Sequence, residues 1–172
     1  IVTKAVIGKA KKTSSNTFSL TPEEMPNTVL GCWVINHKFS GTKGSNGSVL
    51  VTGSFDVNVW YSYNDDKSTA VTTKNFTYSD TMNIPLKEDH NITDASEIIV
   101  RCLRQPTVAN VNVEGGEVKL DIEKELGVEI VGDTKVKISV EDDEDDYDEI
   151  FDEVDNPVFD EINEDYLNEA SN

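Results

Sequence analysis

Val49-Leu50-Val51-Thr52-Gly53-Ser54-Phe55-Asp56-Val57-Asn58-Val59-Trp60-Tyr61-Ser62-Tyr63 is the stretch that decides the fold. Val49, Val51, Phe55, Val57, Val59, Tyr61 and Tyr63 fall on one parity. Thr52, Ser54, Asp56, Asn58 and Ser62 fall on the other, where Trp60 is the large exception. Successive side chains of a strand point to opposite faces, so a period of two marks a strand half buried on one face. The run is long for one strand, and Gly53 reads as a bulge within it. Asn64-Asp65-Asp66-Lys67 has the composition of a turn, and Val71 to Tyr78 returns from it as a second strand, rich in Thr and aromatics.

Working outward, further strands are predicted at Val29 to Phe39, Glu97 to Leu103 and Val108 to Val113. Two more are expected, from Val118 to Ile130, broken near Gly127, and from Lys135 to Val140. Gly115-Gly116 and Gly132-Asp133 read as the turns between them, and Gly41 to Ser48 as a flexible loop. Lys9, Lys11 and Lys12, followed by Thr13-Ser14-Ser15-Asn16, look like a strand end and a polar connection. The Val49 and Val118 hairpins echo one another faintly, each an alternating pair around an Asp-containing turn. Short strands joined by Gly, Asn and Asp, with no strand–helix alternation, make the fold class all-β: an antiparallel sandwich or barrel-like body.

Charge divides the chain in two. The 172 residues carry 15 basic and 33 acidic side chains, a formal net charge of −18. From Glu141 to the end there are 16 acids and no base, which leaves 17 acids against 15 bases in residues 1–140. The expected organisation is therefore a nearly neutral β body over 1–140 and an acidic interaction tail over 141–172. Glu141 to Asp146 is a run of like charges, which repels itself and stays solvated. Beyond it Tyr147, Ile150, Phe151 and Val154 recur at the helical period. Asn156-Pro157 then resembles a cap with proline at the first helical position, and Val158, Phe159, Ile162, Tyr166 and Leu167 follow. The tail is thus expected to be disordered or to form short amphipathic helices with acidic outer faces, marginal alone and suited to docking on the chain's own body or on another molecule.

The composition also excludes functions. A strongly negative balance argues against nucleic acid, whose phosphates need local positive charge. No apolar run approaches the ~20 residues of a membrane span, and Ile1 to Ile7 is too short to read as a secretory leader. His37 and His90 stand alone, so no metal site is expected. An EF-hand count from Asp142 places Tyr147 where the turn needs Gly. Gly44-Ser45-Asn46-Gly47-Ser48 has neither the nucleophile-elbow nor the phosphate-loop spacing. Cys32 and Cys102 lie in apolar strand contexts and read as buried free thiols, with a disulfide within or between subunits as the alternative. No catalytic residue, cofactor or metal ligand is assigned.

Particular blocks carry a family resemblance. They are Thr3-Lys4-Ala5-Val6, Ile35-Asn36-His37-Lys38 within Leu30 to Phe39, and above all Phe55-Asp56-Val57-Asn58-Val59-Trp60-Tyr61-Ser62-Tyr63. Leu103-Arg104-Gln105-Pro106, Val131-Gly132-Asp133-Thr134-Lys135-Val136 and the ending Ile162-Asn163-Glu164-Asp165-Tyr166-Leu167 follow in the same order. Together they resemble the CotE family, the outer spore-coat morphogenetic proteins of endospore-forming Firmicutes. Cys32, where a small residue is usual, and the loop Gly41 to Ser48 depart from the family pattern. The resemblance implies a non-enzymatic scaffold, made in the mother-cell cytoplasm during sporulation and then placed in the outer coat. It implies partners too: other copies of itself, through the middle of the chain, and other coat proteins, through the C-terminal part. Carried onto this sequence, Phe55, Val57, Val59, Trp60, Tyr61 and Tyr63 belong to the self-assembling body. Tyr147, Ile150, Phe151, Val154, Phe159, Ile162, Tyr166 and Leu167 belong to the recruiting tail, which could reach a basic patch of a neighbour around Lys9, Lys11 and Lys12. The competing reading is an extracellular β-sandwich module binding carbohydrate or a cell surface, with Trp33, Trp60, Tyr61 and Tyr63 as a stacking platform.

Overall fold

A computed structural model describes residues 2–135, and every regular element among them is a strand. They are β1 (Val2–Leu20), β2 (Thr28–Lys43), β3 (Ser48–Tyr63), β4 (Ser68–Asn83), β5 (Glu97–Glu114) and β6 (Glu117–Lys135). They form two antiparallel three-stranded sheets, ordered β1-β6-β5 and β2-β3-β4. β2 packs across β5 and β1 across β4, so the sheets make a sandwich. The expected tail helices lie outside the described residues, as do positions 136–140.

The two central strands supply most of the core. The inward parity of β3 buries Val49, Val51, Phe55, Val57, Val59 and Tyr61. That of β6 buries Val118, Leu120, Ile122, Leu126, Val128 and Ile130. Each alternation is interrupted once, and the interruptions divide the interior into two apolar clusters. One gathers Ile7, Val49, Val51, Met82, Cys102, Leu126, Val128 and Ile130; the other gathers Leu20, Phe55, Val57, Val59, Tyr61, Phe76, Leu120 and Ile122. In β6 the interruption is Lys124, a charged residue whose inward parity leaves it only 3 % exposed. In β3 it is Gly53. No bulge occurs there, since β3 pairs with β4 without a shift from Ser48↔Asn83 to Tyr63↔Ser68. Gly53 is required for space instead: a Cβ would stand 2.4 Å from the Tyr78 ring and hydroxyl.

Several expected boundaries move because cross-strand partners outrank local composition. Lys9 to Asn16 is no connection but the middle of β1, each residue opposite one of β6, with Thr13 donating to Glu125 at 2.7 Å. β5 is one strand rather than two, carried past Pro106 by shifts at Cys102/Arg104, Arg104/Thr107 and Val108/Asn110. β6 runs through Gly127, opposite both Lys11 and Arg101, and through Gly132-Asp133, opposite Ala5 and Lys4. No turn forms there, so the supposed echo of the Val49 hairpin has no second half. Gly132 serves packing, a Cβ lying 2.8 Å from Ile7 Cδ1. Gly41 to Lys43 belong to β2, whose bulges lie at Val29/Gly31 and Ile35/Lys38. The turn at 64–67 is as read, with Asn64, Asp65 and Asp66 all at positive φ, a region Asn and Asp tolerate. Gly115-Gly116 likewise turns β5 into β6 at φ 58° and 83°.

Candidate interaction surface

The polar groups of the interior meet between the two apolar clusters. Lys124 Nζ lies 3.2 Å from Asp80 Oδ2, donates to Ser14 Oγ at 2.9 Å, and sits 3.9 Å above the Tyr78 ring centre. The bulge at Ile35/Lys38 turns His37 inward, where its Nε2 is 2.7 Å from the Tyr78 hydroxyl. Desolvation lowers the His37 pKa, a contact from Gln105 opposing it and Lys124 adding to it. Desolvation also raises the Tyr78 hydroxyl, and pushes the Cys102 thiol up to about 11. A nucleophilic thiolate needs its pKa lowered, so the Cys102 shift is opposite to that of an activated thiol. The cluster ties β1, β4 and β6 together. Cys32 and Cys102 are free thiols, Cys32 half-buried and Cys102 buried.

The outer faces of the two sheets differ sharply. On β1-β6-β5 the outward parity of β6 presents Lys119, Asp121, Glu123, Glu125 and Glu129. Neighbours bind them across the sheet: Arg101 to Glu129 at 3.8 Å, Arg104 to Glu123 at 3.6 Å, and Thr17 donating to Asp121 at 2.7 Å. This is a solvated, charge-laced surface.

The outer face of β2-β3-β4 carries large apolar side chains instead. Trp60 is 42 % exposed, opposite Gly31 on one side and Val71 on the other, and Trp33 is 44 % exposed opposite Asn58. Ile35 and Val71 are exposed with them, and Leu30 in the bulge beside them. The Trp60 indole lies beside Gly31, where a Cβ would meet Trp60 Cε3 at an ordinary contact distance of 3.7 Å. A polar row borders the patch. Asp56 accepts from Asn36 and Asn75, each at 2.9 Å, and these bonds, Asn36 foremost, lower its carboxyl pKa. Thr73 donates to Asn58. Around Gly53 the same face has an open depression of about 540 Å³, lined by Lys38, Thr52 and Thr77 among others.

The sequence-derived candidates separate by parity. Phe55, Val57, Val59 and Tyr61 are buried and Tyr63 is half-buried, so they build the body, and only Trp60 of that block is presented outside. The supposed stacking platform is split: Trp33 and Trp60 face out, whereas Tyr61 and Tyr63 face in, their rings 6.1 Å apart. Lys9, Lys11 and Lys12 do not form one patch, because Lys12 has inward parity and reaches Asp80 at 4.0 Å. Tyr147, Ile150, Phe151, Val154, Phe159, Ile162, Tyr166 and Leu167 lie outside the described residues. Sequence reading passed over Leu30, Ile35 and Val71. The signal was present in Leu30-Gly31-Cys32-Trp33-Val34-Ile35, which is apolar on both parities. Strands that read so are covered on both faces, and in this sandwich one face of β2 has no second layer among the described residues.

The described residues thus form an all-β sandwich with a charge-laced outer face on one sheet and an exposed apolar patch on the other. The chain belongs to the outer spore coat protein E (CotE) family, whose sequence model matches residues 1–169. This is a family of spore-coat structural proteins and places the chain in the outer coat. No curated protein and no solved structure matches it.

Proposed function

We propose that this coat protein is a self-associating scaffold, its β body (1–140) joining copies and its acidic tail (141–172) recruiting other coat proteins. It is made in the mother-cell cytoplasm and assembles around the forespore. The observation that carries the self-association is the apolar outer face of β2-β3-β4. Contiguous exposed apolar surface, especially with a polar border, marks protein contact. Trp is also the residue type most enriched where interface energy concentrates. The tail assignment rests on its charge and helical periodicity, which suit docking steered toward basic partners.

Light scattering with negative-stain imaging tests the reading on three proteins: the full chain, a Trp33→Ser/Trp60→Ser variant, and a chain ending at Val140. The full chain and the truncated chain should form large ordered assemblies, the double Trp variant much smaller ones, and only the full chain should retain coat proteins from a sporulating-cell extract. Assemblies lost on truncation would move self-association to the tail. A monomer at all concentrations and salts, with Trp emission that shifts on adding glycans, would replace the scaffold with the carbohydrate-binding reading.

A further inference from the structure

A two-sheet sandwich has four strand edges, each a row of backbone N–H and C=O groups that another strand can use. Three of them are obstructed here. β5 is interrupted by its register shifts and carries Pro106, which has no N–H to donate. β2 is bulged at two places. β1 is crossed by the chain's own segment after β4, where Gly8 bridges Leu86 and the Lys87 N–H donates to the Ile7 carbonyl at 2.8 Å. Lys4, Lys9, Lys11 and Lys12 stud β1 as well. β4 carries one lysine, Lys74, and none of the other guards. Its register with β3 is unbroken, it contains no Pro, and its far edge has no partner among the described residues.

We propose that β4 pairs antiparallel with β4 of a second copy, about a twofold axis at Thr77. This deepens the self-association reading and rests on it. The strand's own charges select the register. Lys74 and Asp80 are its only charged residues, and both have inward parity. An axis at either one sets like charges opposite each other, which is unfavourable. An axis at Thr77 sets Lys74 opposite Asp80 in both directions. The same register places Phe76 opposite Tyr78, Thr73 opposite Thr81, and Thr77 opposite itself, the aromatic and Thr–Thr pairings that favour sheets. Inward side chains stay inward, so a continuous sheet β2-β3-β4-β4-β3-β2 results, with both Trp33/Trp60 patches on one side. Such a contact is isologous and closes at a dimer. Growth into a coat layer then falls to the apolar face.

Thr77 is exposed and points away from the core, so its replacement tests the edge without opening the interior. In full-length chains bearing Trp33→Ser/Trp60→Ser, sedimentation velocity should show a dimer. Thr77→Lys or Thr77→Glu should each weaken it at least tenfold, and an equimolar mixture of the two should restore it. Directly opposed residues of antiparallel strands have Cα atoms about 4.5–5.5 Å apart, within disulfide reach. Thr77→Cys should therefore cross-link to its own copy under mild oxidation, and Thr69→Cys should not. Unchanged dimerisation in Thr77→Lys, or no recovery in the mixture, overturns the β4 edge. A wild-type chain that stays monomeric throughout overturns the self-association reading itself.

Discussion

The two sheets of this protein are near copies inside and opposites outside. Each has three antiparallel strands around a central one whose inward parity is almost continuously apolar, β3 in one and β6 in the other. Yet β6 turns Asp121, Glu123, Glu125 and Glu129 to the outside, whereas β3 turns Trp60 and is flanked there by Trp33, Ile35 and Val71. Inward alternation is demanded by the fold, because each sheet must bury one face against the other. The outward residues answer to no such demand. The proposed function accounts for the difference there by giving one face to water and the other to a protein partner.

The likeness inside rests on a joint that can be broken. Asp80 of β4 holds Lys124 of β6 at the level where both central strands interrupt their apolar run. Removing one partner of a buried pair leaves the other charge uncompensated, at about 3–5 kcal/mol. Asp80→Ala should lower the urea midpoint accordingly, without changing the all-β circular dichroism. Lys124→Met combined with Asp80→Leu should recover most of the loss, since an apolar replacement of both partners is commonly tolerated. A single variant as stable as wild type would mean that the sheets are not coupled through this pair.

Gly53→Ala probes the same level from β3, with a smaller effect. The added methyl meets the Tyr78 ring within 2.4 Å, and the ring is held by His37 and lies beneath Lys124, so it cannot simply swing aside. Overpacking of this kind costs about 1–3 kcal/mol. Thermal unfolding should register the loss, and the Tyr78→Phe background, without the hydroxyl that the methyl crowds, should soften it. An unchanged melting temperature would return Gly53 to the role of a simple spacer.

Gly53 also shows how far the sequence could be read. Alternation along Val49 to Tyr63 gave the strand, its buried face and the all-β class, and Lys124 was readable as an inward charge from its place between Ile122 and Leu126. What local composition could not show was the partner. A glycine in a strand means a bulge or a close neighbour, and only the cross-strand register reveals that Tyr78 is that neighbour. Lys9 to Asn16 looked like a connection because the side chains that satisfy its polar residues, Glu125 and Asp121 among them, come from more than a hundred positions away. The exposed face was half legible: Trp60 broke the polar parity of β3, but Leu30 joins the patch through a bulge that no spacing announces.

The smallest expected effect sharpens the contrast between the outer faces most directly. Arg104→Ala removes an exposed pair with Glu123, 3.6 Å apart on the charged face. Exposed pairs contribute about 0–1 kcal/mol and are screened by salt. The unfolding midpoint should therefore shift slightly at low ionic strength and not measurably at high, and assembly size should stay unchanged at both. Trp60→Ser gives the complementary result on the other face. Because the indole is already 42 % exposed in the single chain, its loss should affect folding stability modestly while reducing association far more. If Arg104→Ala disrupted assembly as strongly as Trp60→Ser does, the charged sheet would be an interface too, and the division between a solvent face and a protein face would fail.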